Sequence, residues 1–155
     1  MQVPKLISMM IDYFGDLHYV EHALKVYAYA YAIGSGEGLA GDDLLTLQCA
    51  AVLHDIGIPN AIKKHGSGKG PFQEAEGALL VPEFTEKIGL SNEMTEKITW
   101  LVGNHHTIKK ADEDILLQML MEADYLVNMS ESADKFLNSF SEQCAEAAEI
   151  ISEAF

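Results

Sequence analysis

The stretch Ala50-Ala51-Val52-Leu53-His54-Asp55-Ile56-Gly57 constrains the fold of this chain more than any other. An apolar run of helical character delivers a histidine and an aspartate side by side and then stops at a glycine. Burying a charge or an imidazole costs roughly several kcal/mol unless it is paired or bound to a metal. Groups elsewhere in the sequence must therefore meet His54 and Asp55 inside the fold.

Two other residues sit on apolar faces where a polar side chain needs a partner. A helix is expected from about Leu17 to Ile33, capped by Asp16 and ending in the loop Gly34-Ser35-Gly36-Glu37-Gly38. Helical spacing places His18, Tyr19, His22, Val26, Tyr29, Ala30 and Ile33 on one face, with His22 inside the stripe and His18 at its wet end. A single histidine in such a stripe is more often a hydrogen-bonded core residue than a ligand. The second case is Asp124. The acidic turn Asp112-Glu113-Asp114 opens a helix running to about Met129, whose buried stripe is Leu117, Leu120, Met121, Asp124 and Val127. A buried aspartate there is satisfied either by a metal or by a donor such as Tyr13, Tyr27 or the backbone.

The remaining chain reads as further helices joined by short loops. They are expected at 5–14, at 43–55 (capped by Asp42, with Leu45, Cys49, Val52 and Leu53 inward), and briefly at 59–65. Gly57 suits a left-handed helix end, and Pro59 prevents simple continuation. Gly66-Ser67-Gly68-Lys69-Gly70-Pro71 reads as a mobile loop near the site. It is not a phosphate-binding P-loop, because the GxxxxGK[ST] spacing and a preceding strand are missing. A helix at 72–89 is expected to break or kink at Pro82 and close at Gly89. Another at 92–104, capped by Ser91, turns Met94, Ile98, Leu101 and Val102 inward with Trp100 partly buried. A final packing helix is expected at 131–153. No stretch alternates with period two, so the expected architecture is all-α, a single domain over 1–155 of six to seven helices with its motif-bearing core at 17–130.

Composition narrows the function. The net charge is −14 and the chain has no arginine, which disfavours binding to duplex nucleic acid. No apolar stretch reaches the ~20 residues needed to cross a bilayer. The N-terminal residues do not read as a signal peptide. Cys49 and Cys144 lie far apart in apolar helical patterns and read as reduced core thiols of a cytoplasmic protein. Half the lysines cluster beside histidines: Lys63, Lys64 and Lys69 follow His54-Asp55, and Lys109 and Lys110 follow His105-His106. They are either ordinary solvated lysines or a local attraction for a small anion.

His22, the pair His54-Asp55, and Asp124 thus come from three helices. Imidazole and carboxylate suit Mn, Fe, Zn, Ni or Co, with Mg an option at an oxygen-rich site. Neither cysteine belongs to the set, which argues against structural zinc.

The order His … His-Asp … Asp, with His-Asp-Ile-Gly at its centre, resembles the HD-domain superfamily of metal-dependent phosphohydrolases. The resemblance covers 17–130 and includes the apolar lead-in at 50–53, Val102-Gly103-Asn104-His105-His106 and Glu122-Ala123-Asp124-Tyr125-Leu126. It implies ligation of a divalent metal by His22, His54, Asp55 and Asp124; one firmly bound ion is expected, with a second as the alternative. It also implies hydrolysis of a phosphate ester of a nucleotide or similar small metabolite.

Some members bind a second metal through additional histidines. His105 and His106 match one such position. The other falls in Phe72-Gln73-Glu74-Ala75-Glu76-Gly77, which lacks histidine, leaving Glu74 or Glu76 as substitutes. Ile58 stands where the cyclic-dinucleotide branch carries lysine and the deoxynucleotidase-like branch an acid, so neither specificity transfers.

Within this reading Asp55 ligates metal and orients a water. His105, with His106 as the alternative, protonates the leaving oxygen or holds a phosphate oxygen. Lys63 and Lys64 bind substrate phosphate, ahead of Lys69, Lys109 and an exposed His65. Two other readings use the same scaffold: a non-catalytic nucleotide-binding or signalling module, and a diiron oxygenase. Whether the protein is a monomer or a homodimer is open, with Tyr27, Tyr29 and Tyr31 pointing to different sides of one helix.

Overall fold

A computed structural model describes residues 2–133. Seven α-helices and one 3-10 helix make up the described residues, and there is no strand among them. The helices are α1 (Gln2–Phe14), α2 (Leu17–Gly36), α3 (Gly41–Leu53), α4 (Ile58–His65), α5 (Gly70–Lys87), α6 (Asn92–Val102) and α7 (115–133); the 3-10 helix is Ile108–Glu113.

The central element is α3. From Thr46 onward it turns Leu47, Cys49, Ala50, Ala51, Val52 and Leu53 into the core, and it packs against α1, α2 and α6. Small residues at 50 and 51 let neighbouring helices approach closely, and no polar side chain interrupts the run before His54. Around it, α1 contributes Val3, Leu6 and Met10 at helical spacing, and α2 contributes Val20, Ala23, Val26 and Ala30. Leu117, Leu120, Ala123 and Val127 of α7 join the same core. The predicted all-α bundle is therefore the observed one.

Several boundaries differ from expectation. α2 does not stop at Ile33 but continues through Gly36. Gly34 is buried there because a Cβ would lie 2.8 Å from Leu47 Cδ2, so this glycine serves helix packing and not a loop. Asp42 is not the cap of α3. Ala40 is, and Asp42 and Asp43 sit in the first turn, where negative charge complements the helix dipole. Pro82 does not break α5, which is helical from Gly70 to Lys87. The acidic turn at 112–114 ends the 3-10 helix instead of opening an α-helix. Asp114 alone caps α7, with Oδ1 accepting from Leu116 N at 3.0 Å and Leu117 N at 3.2 Å. No boundary falls between 129 and 131, so Glu131 belongs to α7. The rest of the helix expected at 131–153 lies outside the described residues, as does Cys144.

Gly57 is a further correction. Its φ is −76°, not left-handed. A Cβ on Gly57 would lie 2.1 Å from Gln73 O and 2.4 Å from Gly77 N, so glycine is required by backbone-to-backbone contact with α5. The turn carrying His54 and Asp55 is thereby pressed directly onto the helix that carries Gln73. No described helix is long and apolar enough to cross a membrane.

Candidate metal centre

α3 ends at Leu53, and His54 and Asp55 follow in a tight turn closed by Ile56 N to Leu53 O (3.0 Å) and Ile58 N to Asp55 O (3.0 Å). α2 brings His22, and α7 brings Asp124. His22, His54 and Asp124 are all buried, and they offer ligand atoms within 4.8 Å of one another. Asp55 Oδ2 lies 3.4 Å from His54 Nε2 and 3.6 Å from His22 Nε2, which completes the expected four-residue group.

A second group, Asp55, His105 and His106, meets the same proximity limit. Asp55 faces both: Oδ2 addresses the first group, while Oδ1 lies 3.5 Å from His105 Nε2. Between the paired histidines, His105 is the buried one, with its ring edge-on to His54 at a centroid distance of 5.3 Å. His106 is exposed and lines the adjoining cavities.

Three rings share one orientation. His54 Nδ1 lies 2.8 Å from Ala51 O, His105 Nδ1 lies 2.7 Å from Val102 O, and His22 Nδ1 lies 3.2 Å from Glu131 Oε2. Each partner is an acceptor, so each Nδ1 carries a proton and each Nε2 faces inward, that of His22 toward the Asp124 carboxylate. That is the arrangement by which metal-ligating histidines are held in one tautomer. His54 Nε2 is also the one buried side-chain polar atom among the described residues with no hydrogen-bond partner. Such an orphan is costly in a core unless something else satisfies it. The donor set and the orphan together fit a divalent ion at the first group.

Electrostatics agree. Burial alone would depress the His54 imidazole, but Asp55 and Asp124 outweigh it and lift its pKa to about 9. Burial opposes ionisation of Asp55 as well, yet His54 and His105 hold its carboxyl well below the usual value. Asp124 is lowered too, against burial, through its contact with His22. The site is thus built to stabilise positive charge at Nε2, whether a proton or a metal. His106 goes the other way: partial desolvation of its ring by the packed site around it and the neighbouring His105 hold it below the ordinary histidine value.

The Asp124 carboxylate is not satisfied by Tyr13 or Tyr27. Its partners are His22, with Nε2 at 3.1 Å from Oδ1, and Asn128, whose Nδ2 donates to Oδ1 at 2.8 Å. Of the two candidates on α5, Glu74 accepts from His106 N at 2.8 Å and from Thr107 Oγ1, and Glu76 accepts from Lys64 Nζ at 2.6 Å and faces His65. Glu74 thus braces the turn at 106–107, and Glu76 braces the end of α4. The side chain from this segment that enters the site is Gln73. Lys63 is exposed, and Lys64 is engaged with Glu76. Neither lines the two cavities at the centre, and nor do Lys69 and Lys109.

Those cavities adjoin each other. One, of about 270 Å3, is lined by His22, Asp55, Ile58, Gln73, His106, Asp124, Asn128 and Glu131, with His18 and Tyr19 at its edge. The other, of about 440 Å3, is bounded by His105, His106, Ile108, Met121, Asp124 and Tyr125 among others. Sequence reasoning missed Gln73, Asn128 and Glu131. Spacing placed Asn128 and Glu131 one and two turns beyond Asp124, but neutral amides and surface-type acids carry no signal of burial.

The fold and these donors define an all-α protein with a buried histidine–aspartate cluster that could hold a metal ion. A family model of the HD domain matches residues 19–129, and the chain belongs to that family, whose members are typically metal-dependent phosphohydrolases. Comparison with curated proteins and with solved structures finds no match.

Proposed function

We propose that the protein is a hydrolase that cleaves a phosphate ester of a small metabolite, a nucleotide or a compound of that size, with the aid of a bound divalent metal. The observation that carries this reading is the convergence of His22 and Asp124 on the unpartnered His54 Nε2, beside a cavity that His22, Asp55 and Asp124 line. A divalent ion supplies Lewis acidity and lowers the pKa of water, which is the chemistry phosphate-ester hydrolysis needs at neutral pH.

The residues of the chain have separable roles in this proposal. His22, His54, Asp55 and Asp124 hold the ion. Asp55 also spans the two donor groups and orients what binds between them. His105, with its ring buried and Nδ1 tied to Val102 O, serves the donor group. His106 lines both cavities and is the ring placed against substrate oxygens. The apolar walls, including Ile58, Met121 and Tyr125, exclude water from one side of the substrate. No lysine lines either cavity, so neutralisation of phosphate falls to the centre and not to Lys63 or Lys64.

The test is phosphate release from p-nitrophenyl phosphate and a panel of nucleotides, with Mn2+, Fe2+, Ni2+, Co2+, Zn2+ or Mg2+ added to metal-stripped protein. Asp55→Ala should abolish release while helix content is retained; activity persisting in that variant overturns the assignment. Binding of nucleotides without turnover under every metal would favour a signalling module. Iron with an oxygen-dependent product would favour an oxygenase.

A further inference from the structure

We propose that the carboxamide of Gln73 fills the second donor group and makes this a one-ion centre. The inference rests on the reading of the first group as a metal site, and it adds what the second group does.

Gln73 is 4 % exposed, and a buried amide requires partners. Its Nε2 lies 2.8 Å from Asp55 Oδ1, 3.2 Å from His105 Nε2, and in contact with His106 Nε2. Those three residues are the whole of the second group. The amide orientation follows from its neighbours. His105 carries its proton on Nδ1, so Nε2 presents a lone pair, and the Asp55 carboxylate accepts only. Turning the amide over would set Oε1 against these acceptors. The NH2 group therefore faces inward, with two hydrogens to share among the three atoms that would otherwise coordinate an ion.

The two groups differ in just this respect. In the first, His54 Nε2 has no hydrogen-bond partner. In the second, the donor atoms already converge on a neutral amide. An ion entering there must displace the amide and break its hydrogen bonds. Gln73 is also held at short range, since the backbone of Gly57 lies against Gln73 O and Gly77 N with no space for even a methyl group. The carboxylates flanking Gln73 are committed to His106 N and to Lys64, so α5 offers no charged substitute.

The test is a Mn2+ titration of metal-stripped, full-length protein by calorimetry, with electron paramagnetic resonance of the loaded samples. Wild type should bind one tight equivalent and show an isolated-ion spectrum. Gln73→Glu, of the same shape but able to coordinate, and Gln73→His should bind a second equivalent at least about ten-fold more tightly than wild type does and show spin coupling. Asp124→Ala should lose the first equivalent. Two equally tight ions in wild type, one of them lost in Asp124→Ala, would leave the metal centre standing and overturn the role of Gln73. So would a single uncoupled ion in both Gln73 variants. No tight ion in wild type overturns both readings.

Discussion

His22 Nε2 lies 3.1 Å from Asp124 Oδ1 across 102 residues of sequence, and this pair ties α2 to α7 through the metal centre. Removing the carboxylate leaves two buried imidazoles with less compensating charge. Metal-free Asp124→Ala is expected to lose about 1–3 kcal/mol of stability, the range for an unsatisfied buried polar group. Added Mn2+ should raise the melting temperature of wild type by mass action and leave that of the variant unchanged. Thermal melts with and without the ion measure both effects.

In the proposed centre, proton and metal compete at His54. The folded, metal-free protein holds this ring at a pKa of about 9, raised from an ordinary value of 6.5. A raised histidine pKa stabilises the fold fully below the unfolded value, and the contribution fades as pH climbs through the folded one. The stability owed to His54 is therefore complete below pH 6.5 and is lost by pH 9 and above. An ion must displace this proton, so metal affinity should rise by up to about ten-fold per pH unit across that window. Calorimetry in buffers of different ionisation enthalpy counts the released proton; an affinity that ignores pH would contradict the assignment.

Gly57→Ala should be more damaging than Gly77→Ala. The first places a methyl 2.1 Å from backbone at Gln73 O, while the second meets Val102 Cγ1, a side chain, at 2.9 Å. Side chains can shift and packed helix backbones cannot. Overpacking costs about 1–3 kcal/mol, and Gly57→Ala should lie at or above the top of that range. Denaturation midpoints of the two variants give the ranking.

Cys49 is completely buried in α3, and burial pushes its thiol up to about 12. In a Cys144→Ser background it should resist a thiol-specific reagent at pH 8 and react only as the protein opens, because the reactive species is the thiolate. Reaction rates measured against denaturant report this directly. Rapid labelling in native buffer would place Cys49 outside the core.

The first donor group was legible in two steps: conflict with burial singled out His54-Asp55 and Asp124, while His22 read on its own as a core histidine until the resemblance joined the four. The helices were legible for the related reason that apolar periodicity survives in single sequence. Gln73 was not legible. It becomes a site residue through contact with Asp55, 18 residues away, and with His105 and His106, 32 and 33 away, and an uncharged amide gives no local sign of such partners. Glycines misled in two places. Gly34 and Gly57 read as chain breaks, yet both answer to neighbours elsewhere in the fold, where a Cβ has no room.

That Asp124 stands on α7 while the other donors come from α2 and the turn after α3 has a consequence for assembly. The first six helices can bury much of the core among themselves, but they hold only part of the donor group. The group closes where α7 packs and brings Asp124, Asn128 and Glu131 into place. In the proposed centre, tight ion uptake therefore requires α7 to be docked, so uptake reports on the closed bundle.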